Sequence, residues 1–261
     1  MFERSIVAIA NQKGGVGKTT TAINLGAALA AAGHPTILVD LDPQGNASTG
    51  LGIEPDQRER TVYDLLAGEE SLEECAVPTE IENLRVVPAT PDLASADVDL
   101  AQTADRTRLL RRKLTEAPKG TIVLIDCPPA LGLLTVNAMV ASDAVLVPLQ
   151  AEFYALEGLS QLLTTVKHVR QGGNPDLRIN GILLTMSDNR NNLSQQVEAD
   201  ARQTLGDLVY PTVIPRNVRV SEAPSFAKPV ILYDPNSKGS LAYKQFAEEF
   251  AQRLKLVPEE V

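Results

Sequence analysis

Two lysines, Lys13 and Lys18, bracket a glycine run in "NQKGGVGKTTT", Asn11 to Thr21. Gly14, Gly15 and Gly17, with Val16 among them, allow a tight backbone curl whose N–H groups point inward, and a helix-period segment follows directly. An apolar run, a glycine turn and a helix start, in that order, make a cradle for phosphates. Lys18 at the helix start can reach the β/γ oxygens of a nucleotide. The Thr19 hydroxyl is placed to ligate Mg²⁺, and Thr20 caps the same turn near the α-phosphate. An ordinary G-x-x-x-x-G-K-[ST] loop needs only one lysine, and has Gly where this chain has Gln12. Lys13 stands at the loop's entry, where its stem leads away from its own pocket, and a second ammonium beside Lys18 would be repelled. Two readings remain: a solvated surface lysine, or a cation acting on a nucleotide held by another subunit, as arginine fingers do.

Acids follow at the ends of two apolar runs. In "LVDLDPQGNASTGLG", Asp40 closes the run and Asp42 lies two residues on, so an extended backbone sends both carboxylates to one side. Close to a metal–triphosphate, one can hold metal-bound water while the other orients the attacking water. Alternatively, they cap the next turn through Pro43 and Gly45. "TIVLIDCPPALG" ends its run on Asp126, an acid suited to holding Mg²⁺ through water, with Pro128–Pro129 as a stiff turn behind it.

These groups need a scaffold, and the apolar pattern supplies one. Short runs at Ser5–Asn11, Thr36–Asp40, Leu84–Ala89, Thr121–Asp126, Ala144–Leu149, Ile179–Thr185 and Pro211–Pro215 are mostly apolar at consecutive positions, as in strands covered on both faces. Helix-period segments lie between them: Thr19–Ala32, Asp105–Ala117, Leu133–Ala141, Leu156–Arg170, Leu193–Leu205 and Leu241–Leu256. The alternation predicts an α/β fold, a doubly wound, mostly parallel sheet with helices on both faces, and the glycine loop after the first strand, not the alternation, points to the P-loop NTPase arrangement. Residues 1–261 read as one domain, with the acidic stretch Ile53–Val77 as an insertion at the sheet's edge. With 44% hydrophobic residues, 4% aromatic and no Trp, packing is expected to rest on Ala, Val, Leu and Ile, without aromatic anchors or base-stacking platforms. Cys75 and Cys127 have neither zinc-site spacing nor disulfide numbers, and no apolar run is long enough to span a membrane. A cytoplasmic protein is expected.

"KGGVGKTT" resembles the deviant Walker A loop of the ParA/MinD/nitrogenase-iron-protein superfamily, and "DLDPQGN" is similar specifically to its ParA/Soj branch of chromosome-partitioning ATPases. The resemblance runs from about Ser5 to Leu256. It implies that Lys13 reaches across an ATP-sandwich homodimer, that Lys13, Lys18 and Asp42 are catalytic, and that Asp42 activates water. Thr19, Asp40 and Asp126 are implied on the metal side. By the same resemblance, Glu152 in "PLQAEFYALEGL" contacts the opposing nucleotide's ribose, and Pro215 and Asn217 in "IPRNVRVSEAP" contact adenine. Cys75 and Cys127 do not match the paired cysteines of the iron–sulfur branch.

The branch binds double-stranded DNA non-specifically as the ATP dimer, on the nucleoid, and a ParB-like partner stimulates hydrolysis. A net charge of −9 and a pI of about 4.9 argue against DNA taken alone. Local charge decides, because phosphate contacts act within a Debye length of about 10 Å. Basic residues gather in the last third, and the resemblance points to Arg190 and Arg219. No helix-turn-helix precedes the first strand, so no operator reading is expected. A MinD-like membrane protein is one rival, but the closing segment "LAYKQFAEEFAQRLKLVPEEV" is mixed in charge and reads as a core-docked helix. The other is an ATP-dependent ligase or amidotransferase on the same fold, for which no substrate constellation is seen outside the nucleotide motifs.

Overall fold

The computed structural model describes residues 3–68, 70–100, 102–152, 155–188 and 190–255. Among them, seven strands form one sheet: β1 (Arg4–Ile9), β2 (Thr36–Asp40), β3 (Val77–Pro78), β4 (Leu84–Val87), β5 (Thr121–Asp126), β6 (Ala144–Gln150) and β7 (Arg178–Thr185). Their order is β3-β4-β2-β5-β1-β6-β7, parallel throughout except for β3 against β4. β2 and β5 are buried at every position, which is why these runs are apolar without alternation. Successive residues still serve opposite faces. Ile6 and Ala8 join one core while Val7 and Ile9 join the other.

α1 (Lys18–Ala31), α2 (Asn46–Gly50), α3 (Val62–Ala67), α4 (Leu72–Cys75), α5 (Ala96–Asp99), α6 (Leu109–Leu114), α7 (Leu133–Ala141), α8 (Ala155–Gly172), α9 (Asn192–Leu205), α10 (Val218–Glu222), α11 (Val230–Tyr233) and α12 (Lys238–Arg253) cover the two faces. The doubly wound, mostly parallel sheet expected from the pattern is thus observed. α12 buries Tyr243, Phe246, Phe250 and Ala251, so it is docked on the core against α1. The chain's last residues, Glu259, Glu260 and Val261, lie outside the described part.

Four expectations are corrected. Pro211–Pro215 is not a strand: among the described residues this stretch and its approach make only isolated bridges, Val209 to Ile182 and Pro215 to Ser187, because the N–H and hydroxyl of Thr212 turn to Glu249 and interrupt the bonding to β7 between Tyr210 and Ile214. The helix over Asp105–Ala117 shrinks to α6, since Asp105 adopts a left-handed backbone (φ 56°). The stretch Ile53–Val77 is no mere edge insertion. α3 and α4 are closed by capping boxes, Thr61 with Asp64 and Ser71 with Glu74, and they send Val62, Leu65, Leu66, Leu72 and Cys75 into the core. Aromatic packing is present after all: Tyr210 meets Phe246 edge-on at 4.8 Å, and the Arg253 guanidinium lies 3.9 Å over the Tyr210 ring.

Candidate active site

β1 lies between β5 and β6, where the winding of the sheet changes direction, and the crevice beyond the carboxyl ends of such strands is where ligands settle in open α/β sheets. The glycine loop leaves β1 there. Gly15 and Gly17 have φ of 73° and 86°, a region that side chains disfavour, and Gly17 caps α1 without any side-chain bond. The first amides of α1 are therefore left for an anion. The loop is stitched in place from outside. Asn11 Nδ2 donates to Pro148 O at 2.7 Å while its Oδ1 accepts from Lys13 N, and Thr185 Oγ1 donates to Val16 O at 2.8 Å. Neither Asn11 nor Thr185 is visible as functional in sequence, because each acts only through a segment distant along the chain.

Register brings the acids together. Asp40 and Asp126 are directly paired at the ends of β2 and β5, and Ile9 pairs with Asp126 on the other side. Among the described residues, neither of the two buried carboxylate oxygens of Asp126 has a hydrogen-bond partner. Burial, and next the Asp40 charge, push its carboxyl well above the usual range, while the Thr19 hydroxyl works the other way. Asp40 is raised by burial too, opposed by Ser48, whose N–H and hydroxyl donate to its Oδ2 at 2.8 and 2.7 Å. Its Oδ1 accepts from Asp42 N at 3.3 Å. Asp40 thus spends its acceptors on α2, whereas Asp126 has both of its own free. Asp42 is half-buried, close enough for its charge to raise both neighbours, and its Oδ1 accepts from Gln44 N. Lys18 is buried with Nζ donating to Lys13 O at 3.1 Å; burial lowers its pKa, and the Asp126 charge is the foremost opposing influence.

The arrangement suits a hydrated divalent cation held partly by a bound phosphate. No group of three His, Cys, Asp or Glu side chains forms a metal cage among the described residues. Mg²⁺ needs none, since it keeps waters and takes phosphate oxygens. The two orphaned oxygens of Asp126 beside Thr19 fit that requirement.

Lys13 points out of the loop, and its Nζ lies 3.1 Å from Glu152 Oε2, both side chains well exposed. Pro215 and Asn217 join Gly17, Thr20, Met186 and Tyr243 around a cleft of about 130 Å³. Asn217 Oδ1 accepts from Arg219 N and Val220 N as the cap of α10, so its amide nitrogen is the atom left for a ligand. Met186, with φ of 53°, lines this cleft, and Gly239 packs behind Val220 and Asn217 of its wall, where a Cβ would meet Val220 Cγ2 at 2.2 Å; neither carries a signal in the sequence. Arg190, in the turn before α9, and Arg219, in α10, follow the two segments that the Ser187–Pro215 bridge joins. Arg219 is engaged by Glu222 at 3.0 Å and Asp234 at 3.4 Å.

Comparison with known proteins agrees with this geometry. A family model described as an AAA domain matches residues 4–179. The chromosome partitioning protein ParA of Caulobacter vibrioides is 59% identical over 252 residues, covering 95% of this chain and 94% of that one. The sporulation initiation inhibitor protein Soj of Bacillus subtilis is 55% identical over 248 residues, covering 94% and 98%. A Mycobacterium smegmatis crystal structure with bound ADP and magnesium, described as cobyrinic acid a,c-diamide synthase, superposes with a TM-score of 0.84 at 38% identity, covering 97% and 96%. With the deviant phosphate loop, the paired strand-end acids and these relatives in agreement, the chain belongs to the ParA/Soj family of chromosome-partitioning ATPases.

Proposed function

We propose that residues 1–261 form one ATPase domain that partitions DNA: ATP closes two subunits into a sandwich, the sandwich holds double-stranded DNA without sequence preference, and hydrolysis releases it. The observation that carries the reading is the convergence of Lys18, Asp42 and the partnerless Asp126 on the open start of α1. In this reading the N–H groups of Gly14, Gly15, Val16 and Gly17, with Thr20, hold the phosphates of ATP. Mg²⁺, when bound, would neutralise phosphate charge, held by Thr19 and, through water, by Asp126 and Asp40. Asp42 orients the attacking water, and Pro215 and Asn217 hold the base.

Lys13 and Glu152 act across the subunit boundary, Lys13 on the partner's phosphates and Glu152 on its ribose. Their exposure in the single chain supports this, since their mutual ion pair can be exchanged for contacts with a partner. Arg190 and Arg219 contact DNA phosphates, and a ParB-like protein with a basic N-terminal peptide speeds hydrolysis. The protein then works in the cytoplasm, on the nucleoid. No helix among the described residues is long and apolar enough to cross a membrane, and the core-docked α12 gives no support to a MinD-like membrane anchor.

The M. smegmatis relative's description favours a second reading, an ATP-dependent amidotransferase acting on a carboxylic acid. Sedimentation with ATP and Mg²⁺, with and without arbitrary duplex DNA, separates the two. Partition predicts an ATP-dependent dimer retained on DNA. A monomer indifferent to DNA that turns over ATP only when a carboxylic acid and glutamine are supplied would establish the other reading.

A further inference from the structure

We propose that Arg58 is a positioning residue for ATP hydrolysis, strapping down the loop that carries Asp40 and Asp42. The inference rests on the ATPase reading above. Arg58 enters from the acidic segment between α2 and α3, and only 9% of its surface is exposed. Its guanidinium makes four hydrogen bonds: Nη1 to Ala89 O at 2.8 Å, Nη2 to Thr49 Oγ1 at 2.7 Å and to Ile53 O at 2.8 Å, and Nε to Ile53 O at 3.1 Å. Every acceptor is neutral. Among the described residues no carboxylate forms an ion pair with it. The Asp40 charge, and next that of Glu54, favour the cation without touching it, so the guanidinium is held by neutral carbonyl and hydroxyl acceptors alone; burial on those terms is costly, and its retention here calls for a task.

Two branches lead from it to the acids. Along the first, Ala89, whose carbonyl accepts from Arg58, donates its N–H to Ser48 Oγ at 3.2 Å, and Ser48 donates its N–H and hydroxyl to Asp40. Along the second, Thr49 Oγ1 donates onward to Gly45 O at 3.1 Å, and Gly45 N donates to Asp42 O at 2.9 Å. Arg58 touches neither carboxylate, yet both are fixed to elements it holds. Gly45 makes the arrangement possible. Its φ is 62°, and a Cβ there would lie 2.3 Å from Arg58 Nη1 and 2.9 Å from Ala89 O. The turn carrying Asp42 therefore rests directly on the guanidinium. Misplacing a reacting group by about 1 Å costs on the order of a hundredfold in rate, so slack in this strap should appear in turnover before it appears in binding.

The test uses the full chain with steady-state ATP turnover, binding of a fluorescent ATP analogue, and thermal melting, for the unaltered protein, Arg58→Met, Arg58→Lys and Thr49→Val. Expected is a fall in kcat of about tenfold for Arg58→Met with nucleotide Kd within about twofold, and partial recovery in Arg58→Lys. If Arg58→Met does not fold, Thr49→Val, which removes only one of the four bonds, should still lower kcat by about threefold at unchanged Kd and melting temperature. A kcat unchanged in the folded variants, or kcat and affinity declining together in step with stability, overturns the proposal. Absence of turnover in the unaltered chain would instead overturn the ATPase reading, and this inference with it.

Discussion

Within a single chain, Lys13 Nζ sits 3.1 Å from Glu152 Oε2, so the two residues proposed to act across a subunit boundary neutralise each other before any partner arrives. An exposed pair of this kind is worth no more than about 1 kcal/mol, and it can therefore be exchanged for contacts with a second subunit. Lys13→Ala should melt within about 1 kcal/mol of the unaltered protein and keep its affinity for nucleotide, yet lose ATP-dependent dimerisation and turnover. Light scattering with ATP and Mg²⁺ checks this. Unchanged turnover would remove Lys13 from the chemistry.

Among the described residues Asp42 makes its one side-chain bond to Gln44 N, and it lies partly open, so its removal disturbs little of the fold. Asp42→Ala should still dimerise with ATP and remain on duplex DNA, with hydrolysis reduced by a factor of about a hundred or more, as for loss of a water-orienting group. Dissociation from DNA on the unaltered protein's schedule would exclude the role.

The sheet and the phosphate loop are legible in the sequence because they depend on local pattern. β1, β2, β5 and β6 are apolar at consecutive positions since both faces are covered, and the glycines of the loop precede a helix whose start must be open. What stays hidden depends on contacts distant in sequence. Ser48 and Arg58 matter because α2 folds back over Asp40, and Asn11 because β6 offers it a carbonyl. The mistaken strand at Pro211–Pro215 shows the opposite failure: the residues are apolar enough, but Glu249, distant along the chain, takes the Thr212 N–H from the ladder. The capping boxes at Thr61 and Ser71 are the sequence signal for α3 and α4, and a local excess of acid obscures it.

Asp126 is held at a cost, since its carboxylate is buried beside Asp40 with both oxygens unpaired. Asp126→Asn removes the like-charge conflict and should stabilise the nucleotide-free protein by about 1–2 kcal/mol. The same variant should lose the extra stabilisation that Mg²⁺ adds to nucleotide. Calorimetric melting with and without Mg²⁺ reads both effects. A variant that melts lower and still responds fully to Mg²⁺ would contradict the assignment.

Cys75 and Cys127 are buried, and burial raises both thiols, Cys75 to about 11 and Cys127 further. Because these pKa values lie above that of an unfolded cysteine, the unfolded chain binds fewer protons at alkaline pH. Stability should therefore decline as pH rises past about 9. At pH 8 neither thiol should react with iodoacetamide faster than the chain unfolds. Rapid labelling of the native protein would show that one of them is more open than the structure has it.

Arg219 provides the sharpest test of the DNA surface, because Glu222 and Asp234 already hold its guanidinium. Binding to a phosphate must compete with these carboxylates, so releasing the arginine should help and deleting it should hurt. Glu222→Gln is expected to tighten ATP-dependent retention on duplex DNA. Arg219→Ala should weaken it and lower the slope of log K against log salt by about one unit for each phosphate that the protein no longer neutralises. Arg190→Ala should act in the same direction through the neighbouring loop. Equal affinity in all three variants across a salt titration would mean that DNA is held elsewhere. Weaker binding in Glu222→Gln would mean that the ion pair orders α10 for DNA, not that it competes with it.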